Sequence, residues 1–282
     1  MTTQKTITRF APSPSGLLHL GHAYSALFAE KEAKDQNGTF LLRFEDIDPK
    51  RCHEKYENKI IEDLNWLNIY YQGPIRRQSE HMHDYIAAIE KLAALKLIYP
   101  CFLSRKELNA ALSAPHFISK EKTIDSRAVD TDRHLSEPEL KRRMKTGAPY
   151  ALRLRMQAAL KLVGPMYWED KSLGKQTAQP EIFGDVVLAR KDIPTSYHLS
   201  VTIDDAIQGI TTITRGDDLF FATHLHRLLQ ELLNLPVPSY NHHRVLKDRD
   251  GNRLAKRDKS LTLEALRNSG KTPTDIRNMV GF

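Results

Sequence analysis

Residues 6–44 read TITRFAPSPSGLLHLGHAYSALFAEKEAKDQNGTFLLRF. Thr6–Phe10 predicts a short strand, a proline-rich loop follows it, and apolar residues at helical spacing predict a helix from His19 to about Lys34. After a turn at Asn37-Gly38, the mostly apolar run Thr39–Phe44 is typical of a buried parallel strand. Strand, helix and strand within about 40 residues form a βαβ unit, so this stretch predicts an α/β fold with a parallel sheet.

The remainder of the chain is predicted to contain further helices and strands on either side of one irregular block. The predicted helices lie around His53–Leu67, Glu80–Lys96 and Thr223–Leu235, and the predicted strands at Asp185–Arg190, Ser200–Ile203 and Gly209–Arg215. Between them, residues 101–180 contain several prolines and glycines and much of the charge. This composition favours an insertion between two halves of one sheet.

The composition is that of a globular protein. The chain has 282 residues, of which 40% are hydrophobic and 27% charged, and this excludes a fibrous repeat, a disordered tail and a disulfide scaffold. No apolar run approaches the roughly 18 residues that span a bilayer. The polar N-terminus and the presence of only two cysteines, Cys52 and Cys101, predict a cytoplasmic protein.

The net charge of +7 is unevenly distributed along the chain. It is zero over residues 1–100, +6 over 101–180, −4 over 181–240 and +5 over 241–282. Two separate basic regions suggest a polyanion such as nucleic acid, although charge alone leaves a solvated basic surface equally open.

A first group of residues that could take part in binding or catalysis follows the first predicted strand. It comprises the loop Arg9–Gly16 and then His19-Leu20-Gly21-His22 at the start of the helix. Parallel sheets place nucleotides at such strand–helix junctions, where free backbone N–H groups attract phosphate. Two imidazoles three residues apart share one helix face and could donate hydrogen bonds to phosphate oxygens. Gly21 would let a ligand approach the backbone.

A second group is Arg253-Leu254-Ala255-Lys256-Arg257, after the turn Asp250-Gly251-Asn252. Three cations in one loop suit a polyphosphate whose charge moves during reaction. On its own this is a weak indication, because basic runs are usually solvated.

Together the two groups give the chain a resemblance to the class I aminoacyl-tRNA synthetases, and among them to the glutamyl and glutaminyl enzymes. Residues 19–22 match the first signature of that family and residues 253–257 the second, with Ala255 where serine is common. The resemblance extends over nearly the whole chain, through the segments 9–16, 43–48, 196–200, 204–209 and 215–219.

The resemblance implies a Rossmann-type parallel sheet split by an α/β insertion. Residues 1–100 would form the first half of the catalytic domain, 101–180 an insertion of the acceptor-binding type, and 181–240 the second half. Residues 241–282 would form a short helical segment that carries the second signature. Only 25 residues follow Arg257, so we expect no anticodon-binding domain.

This length favours the short branch of the family, the glutamyl-Q tRNA(Asp) synthetases. That branch implies ATP-dependent activation of L-glutamate and its transfer to the queuosine base at the wobble position of tRNA(Asp). The implied partners are glutamate, ATP with Mg2+, and the anticodon stem-loop of tRNA(Asp), with no membrane and with the chain as a monomer. Two alternatives remain open: a truncated glutamyl-tRNA synthetase that charges a tRNA 3′ end, and a non-catalytic tRNA-binding relative.

The resemblance also assigns roles to individual residues. His19, His22 and Lys256 would be catalytic, and Pro12, Gly21, Arg253 and Lys256 would bind ATP. The amino acid would be bound by Arg9, Phe10, Ala11, Pro12, Ser13, Glu45, Tyr197 and Arg215. Arginine side chains can bind the carboxylates of glutamate, and Glu45 can bind its ammonium group. We prefer Arg215 for the glutamate side chain, although the sequence does not separate it from Arg9.

One departure from the family concerns zinc. Members with structural zinc use a Cys-x-Cys pair and later Tyr and Cys ligands, whereas this chain has Cys101-Phe102-Leu103 and no later cysteine. A tetrahedral thiolate site therefore cannot form within it. The histidine pairs His81/His83, His224/His226 and His242/His243 are poor zinc candidates, because near pairs are expected among 12 histidines. We expect no metal site.

Overall fold

A parallel β-sheet positions the candidate site in the computed structural model, which describes residues 5–103, 135–246 and 262–282. The strands are β1 (Ile7–Phe10), β2 (Thr39–Phe44), β3 (Arg76–Arg77), β4 (Ile98–Cys101), β5 (Ala151–Leu154), β6 (Tyr167–Asp170), β7 (Gly174–Thr177), β8 (Val187–Arg190), β9 (Thr212–Gly216) and β10 (Ser239–His243).

Nine α-helices occur in the described ranges; four match helices that the sequence predicted individually, and two more lie in the C-terminal segment predicted to be helical. They are α1 (Leu20–Asp35), α2 (Glu54–Trp66), α3 (Met82–Ala94), α4 (Glu137–Lys145), α5 (Met156–Leu162), α6 (Tyr197–Ile207), α7 (Ala222–Leu233), α8 (Leu263–Asn268) and α9 (Pro273–Val280). None of these helices has the length and apolar character needed to cross a membrane.

The βαβ unit predicted from residues 6–44 is confirmed. Strand β1 pairs in parallel with β2, with Ile7 opposite Thr39, and β2 pairs in parallel with β3. The connecting helix α1 buries Ala23, Ala26 and Leu27 against the sheet. The apolar residues whose spacing predicted the helix therefore form the face that packs against the sheet.

The other half of the parallel sheet lies beside β1. Strand β10 pairs in parallel with both β9 and β6, and β7 pairs antiparallel to β6. The Thr211 backbone N–H donates to the Ile7 carbonyl at 3.0 Å, which joins this half to β1. These four strands have the order β9-β10-β6-β7 and lie beside β1 of the sheet β1-β2-β3, which gives the α/β architecture expected from the sequence.

A third sheet, which is antiparallel, is formed by β4, β5 and β8. Its strands come from both sides of the predicted insertion limits at 101 and 180, since β8 lies at 187–190. The β6–β7 hairpin lies inside those limits but pairs with β10 of the parallel sheet. The domain limits given above remain predictions. The antiparallel sheet includes β8 from beyond residue 180, whereas β6 and β7 from within 101–180 belong to the sheet that contains β10.

The predicted strand Ser200–Ile203 is wrong, because these residues lie in helix α6. Val201, Thr202 and Ile203 are β-branched and favour a strand locally. In the folded chain, however, the Thr202 hydroxyl donates to the His198 carbonyl at 2.7 Å and Ser200 to the Ser196 carbonyl at 3.0 Å. Residues 199–205 are all buried, and the polar residues Ser200, Thr202 and Asp204 alternate with apolar ones, which imitates the period of a strand.

Candidate functional site

A cavity of about 370 Å³ opens where the carboxyl ends of the parallel strands β1, β2, β9 and β10 meet. This edge is where open parallel sheets bind ligands, because the loops that leave neighbouring strands converge there. The cavity brings together every predicted site residue in the described ranges: Arg9, Phe10, Ala11, Pro12, Ser13, His19, Gly21, His22, Glu45, Tyr197 and Arg215. The predicted residues Arg253 and Lys256 lie outside the described residues.

The two signature histidines lie at the N-terminus of helix α1. The His19 Nδ1 atom accepts from the Gly21 N–H at 3.1 Å, and His22 Nδ1 accepts from the His19 N–H at 3.2 Å. These bonds form a reciprocal cap, with the ring centroids 3.8 Å apart. Since each Nδ1 accepts, a neutral ring carries its proton on Nε2. The two rings are thereby fixed beside the positive end of the helix dipole.

Gly21 fits this arrangement because of its missing side chain. A Cβ atom at this position would lie 3.0 Å from His19 Cε1. Any larger residue would press on the imidazole that caps the helix. The helix start thus presents two imidazoles at the positive end of the helix dipole, in a cradle that a side chain would disturb, which suits a phosphate group.

Arg9 lines the cavity, but its charge is neutralised within the protein. Its Nε and Nη2 atoms donate to the two Asp205 oxygens at 2.8 and 3.3 Å, and Nη1 donates to the Thr214 carbonyl at 3.1 Å. Burial alone would raise the pKa of Asp205, but the guanidinium groups of Arg9 and Arg43 outweigh it and hold the pKa below its usual value. Arg9 and Asp205 therefore form a buried ion pair behind the cavity wall.

Glu45 follows strand β2 and is held by its neighbour Arg43. Arg43 is fully buried and donates to Asp205 at 2.8 Å, to Gln208 at 2.9 Å and to Glu45 at 3.3 Å. Burial raises the pKa of Glu45, although Arg43 and Arg9 oppose the increase. The carboxyl group is oriented into the cavity region while its charge is only partly balanced.

Arg215 differs from Arg9 in its partners. It is 6% exposed, and its guanidinium donates to His242 Nε2 at 3.2 Å, pairs with His226 Nδ1 at 3.2 Å and donates to the Thr223 hydroxyl. Burial and the positive charge of Arg215 lower the pKa of His226 well below its usual value, so this ring is neutral. Among the described residues, no carboxylate pairs directly with Arg215. It is a buried cation with uncharged partners, at the wall of an open cavity.

A second cavity of about 370 Å³ adjoins the first and shares Ser13, Glu45 and Tyr197 with it. Its other charged side chains are Asp48, Arg51 and Arg190. Tyr197 begins helix α6, and burial raises the pKa of its hydroxyl, so it acts as a neutral hydrogen-bonding group. The shared residues place one common wall between two ligand-sized spaces.

Several residues that organise the site were not among the predicted ones. Asp205 lay in a segment that the resemblance covered, but its pairing with Arg9 crosses 196 positions of sequence. His242 was considered only as a possible metal ligand, whereas it binds Arg215. The signal that could have found both is the need of a buried arginine for an acceptor.

One group of metal-ligating side chains occurs elsewhere in the described ranges, at His81, His83 and Asp84. Their ligand atoms lie within 4.8 Å of one another. The Asp84 carboxylate is already bound by Arg76 at 2.5 Å and by His83 at 3.1 Å. The expectation of no metal site remains a prediction.

Comparison with known proteins gives a consistent result. Residues 5–282 match the family described as tRNA synthetases class I (E and Q), catalytic domain. The chain is 43% identical to a glutamyl-Q tRNA(Asp) synthetase of Rhodobacter capsulatus, with 98% of this chain and 100% of that protein covered. It is 36% identical to a glutamate–tRNA ligase of Aquifex aeolicus, with 97% of this chain but 56% of that protein covered.

Solved structures agree with this. A glutamate tRNA ligase from Elizabethkingia meningosepticum, solved in complex with its amino acid, superposes with a TM-score of 0.73 at 30% identity. The match covers 90% of this chain and 52% of that one. The chain thus spans about half the length of the solved ligase.

Proposed function

Since the chain belongs to the class I tRNA synthetases for glutamate and glutamine, we propose that it activates L-glutamate with ATP and transfers the glutamyl group to queuosine in tRNA(Asp). The observation that carries the proposal is the buried Arg215, whose partners in the described ranges are neutral. A cation held in this way has its charge available for a substrate anion.

Glutamate meets the chemical requirements of the first cavity. Of the two arginines predicted to bind the amino acid, Arg215 would bind the side-chain carboxylate, because it has no carboxylate partner among the described residues, whereas Arg9 is paired with Asp205. Glu45 would bind the ammonium group, and the hydroxyls of Ser13 and Tyr197 would complete the polar contacts. Phe10, Ala11 and Pro12 would form the wall along the amino acid.

ATP, as its magnesium complex, would occupy the part of the cavity at the start of helix α1. His19 and His22 would donate to phosphate oxygens, Gly21 and Pro12 would allow close approach, and Arg253 and Lys256 of the second signature would contact the phosphates. Magnesium would enter with the nucleotide and balance phosphate charge. These residues supply donors where negative charge develops, which is the main need of phosphoryl chemistry.

The first reaction is attack of the glutamate α-carboxylate oxygen on the α-phosphorus of ATP. The new P–O bond forms as the bond to the bridging oxygen breaks, giving glutamyl-adenylate and pyrophosphate. No covalent enzyme intermediate is required, so positioning and charge stabilisation by His19, His22 and Lys256 supply the catalysis.

The second reaction would use the adjoining cavity. A hydroxyl of the modified base would attack the glutamyl carbonyl, releasing AMP, and the shared wall of Ser13, Glu45 and Tyr197 would bring the two reactants together. The anticodon stem-loop of tRNA(Asp) would be held by phosphate contacts to the basic regions 101–180 and 241–282. The chain would act as a monomer.

Glutamate-dependent exchange of pyrophosphate into ATP tests the proposal. We expect exchange without any tRNA, and much less with glutamine or aspartate in place of glutamate. Absence of exchange under all conditions would favour a non-catalytic tRNA-binding relative. Exchange followed by charging of tRNA(Glu) that lacks queuosine would favour a glutamyl-tRNA synthetase acting at the 3′ end.

A further inference from the structure

Behind Arg215 lies a chain of hydrogen bonds that ends on a buried carboxylate. Arg215 Nε donates to His242 Nε2 at 3.2 Å, and His242 Nδ1 lies 2.7 Å from Asp170 Oδ2. Both inner side chains are inaccessible, at 3% exposure for His242 and 0% for Asp170. Asp170 ends strand β6 and His242 lies on β10, so the contact joins two neighbouring strands.

The imidazole of His242 is held rigidly between aromatic rings. Tyr240 stacks on it with an interplanar angle of 3°, and Trp168 and Phe220 pack against it with centroids 5.8 and 5.1 Å away. Burial lowers the pKa of His242, and the positive charge of Arg215 adds to this, against the opposing effect of Asp170. The ring is therefore neutral and has one proton to place on one of two nitrogens.

Asp170 decides which nitrogen carries that proton. Its Oδ1 atom accepts from the backbone N–H groups of Ser172 and Leu173 at 2.9 and 3.0 Å, which fixes the carboxylate at the start of the β6–β7 turn. An ionised carboxylate only accepts, so His242 must donate from Nδ1 and present a lone pair at Nε2. That lone pair is what Arg215 Nε needs.

We propose that Asp170 and His242 are positioning residues for glutamate recognition, fixing the tautomer of the imidazole so that it orients the Arg215 guanidinium toward the side-chain carboxylate of the substrate. This inference rests on the proposed function of the first cavity. With the other tautomer, an N–H of His242 would face the N–H of Arg215, and the guanidinium would have to turn away. The negative charge of Asp170 stays one side chain removed from Arg215, so Arg215 keeps its charge for the substrate.

Asp170→Asn tests the proposal with little change of shape. The asparagine Oδ1 atom can still accept from Ser172 and Leu173, while its amide N–H donates to His242 Nδ1 and forces the proton onto Nε2. We expect the KM for glutamate in pyrophosphate exchange to rise about 10- to 100-fold, since a hydrogen bond to a charged group is lost. The KM for ATP should change less than about twofold, because the ATP contacts lie at helix α1.

Two further variants separate positioning from folding. Asp35→Asn makes the same chemical change at an exposed residue, which is 54% accessible and paired with Lys31 on the surface, and should leave both KM values unchanged. In His242→Gln, the amide oxygen can take the place of Nε2 and accept from Arg215 whatever the charge at position 170. Adding Asp170→Asn to His242→Gln should therefore raise the glutamate KM less than about threefold.

The tautomer is measured directly by 15N NMR of the histidine side chains, with His242→Gln to assign the signal. We expect the Nδ1–H form in the wild-type chain and the Nε2–H form in Asp170→Asn. An Nε2–H form in the wild type, or an unchanged glutamate KM in a correctly folded Asp170→Asn, would overturn the positioning role alone. No exchange by the wild-type chain would refute the proposed function, and the positioning role with it.

Discussion

Replacement of two arginines of the first cavity, Arg9→Met and Arg215→Met, is expected to have opposite consequences for stability and for substrate binding. Methionine retains an unbranched apolar side chain in both variants. The comparison therefore isolates the effect of removing each guanidinium group from its partners. Arg9 forms a buried pair with Asp205, with side-chain exposures of 6% and 5%, whereas Arg215 binds neutral acceptors. The expected difference in stability depends on whether the substitution leaves a buried carboxylate behind or only neutral acceptors.

Arg9→Met leaves Asp205 with Arg43 as its remaining cationic partner. Removing one partner of a buried ion pair costs about 3–5 kcal/mol of folding free energy when the other charge is left unpaired, and we expect the lower end of this range because Arg43 still balances Asp205. Arg215→Met removes a buried cation whose desolvation no carboxylate in the described ranges balances directly. The lost hydrogen bonds to His242, His226 and Thr223 are therefore offset in part, and we expect the free energy of unfolding to change by less than about 2 kcal/mol.

Substrate binding should show the reverse order. Truncating the cation that binds a buried carboxylate costs about 2–5 kcal/mol, which raises the KM for glutamate by a factor of about 30 to 4,000 in Arg215→Met. The assays are urea unfolding followed by circular dichroism and pyrophosphate exchange at varied glutamate concentration. An Arg215→Met protein with a near-normal glutamate KM, or one that is less stable than Arg9→Met, would refute the reasoning.

Four further outcomes are expected. Burial raises the pKa of Asp63 from 3.8 to about 7, so the folded chain loses stability as the pH rises through that range. In urea titrations, Asp63→Asn should therefore stabilise the chain by at most about 4 kcal/mol at pH 8 and by little at pH 4. Lys256→Ala should reduce exchange by a large factor without changing the unfolding curve, because a cation acting on transferring phosphate contributes on the order of several kcal/mol; an unchanged rate would contradict its assignment. The purified chain should contain no stoichiometric zinc by metal analysis and should not unfold in chelator, since Cys101 has no later cysteine to join it. Charging of tRNA should weaken steeply with added salt if phosphate contacts hold the RNA, and a flat response would argue against the basic regions as its binding surface.

The sequence was sufficient for the parts of the fold that are encoded locally. Strand β1, helix α1 and strand β2 were predicted because their apolar residues follow the two periods of regular structure and clear turn residues separate them. Helix α6 was predicted in part as a strand, because its β-branched residues and the alternation of apolar and polar residues over 199–204 imitate the period of a strand. The pairing of β6 with β10 across 70 residues has no local signal at all.

The residues of the candidate site fall into two groups, those that the sequence predicted and those that it did not. The residues that line the cavity were found because motifs keep them close in sequence or because the resemblance named them. Their supporting partners were missed, since Asp205 reaches Arg9, and Asp170 reaches His242, only after the sheet has formed. The structure also distinguishes Arg215 from Arg9, which composition and spacing could not do, because the distinction lies in the charge of their neighbours.

The central claim, transfer of glutamate to queuosine, is tested most directly by locating the label on the RNA. Bacterial total tRNA would be incubated with the chain, ATP and 14C-glutamate at mildly acidic pH, digested with nuclease P1, and the labelled nucleotide identified by mass spectrometry. We predict glutamyl-queuosine monophosphate, derived from tRNA(Asp), and no label on tRNA prepared from cells that lack queuosine. Label recovered on the terminal adenosine of tRNA(Glu) would contradict the account.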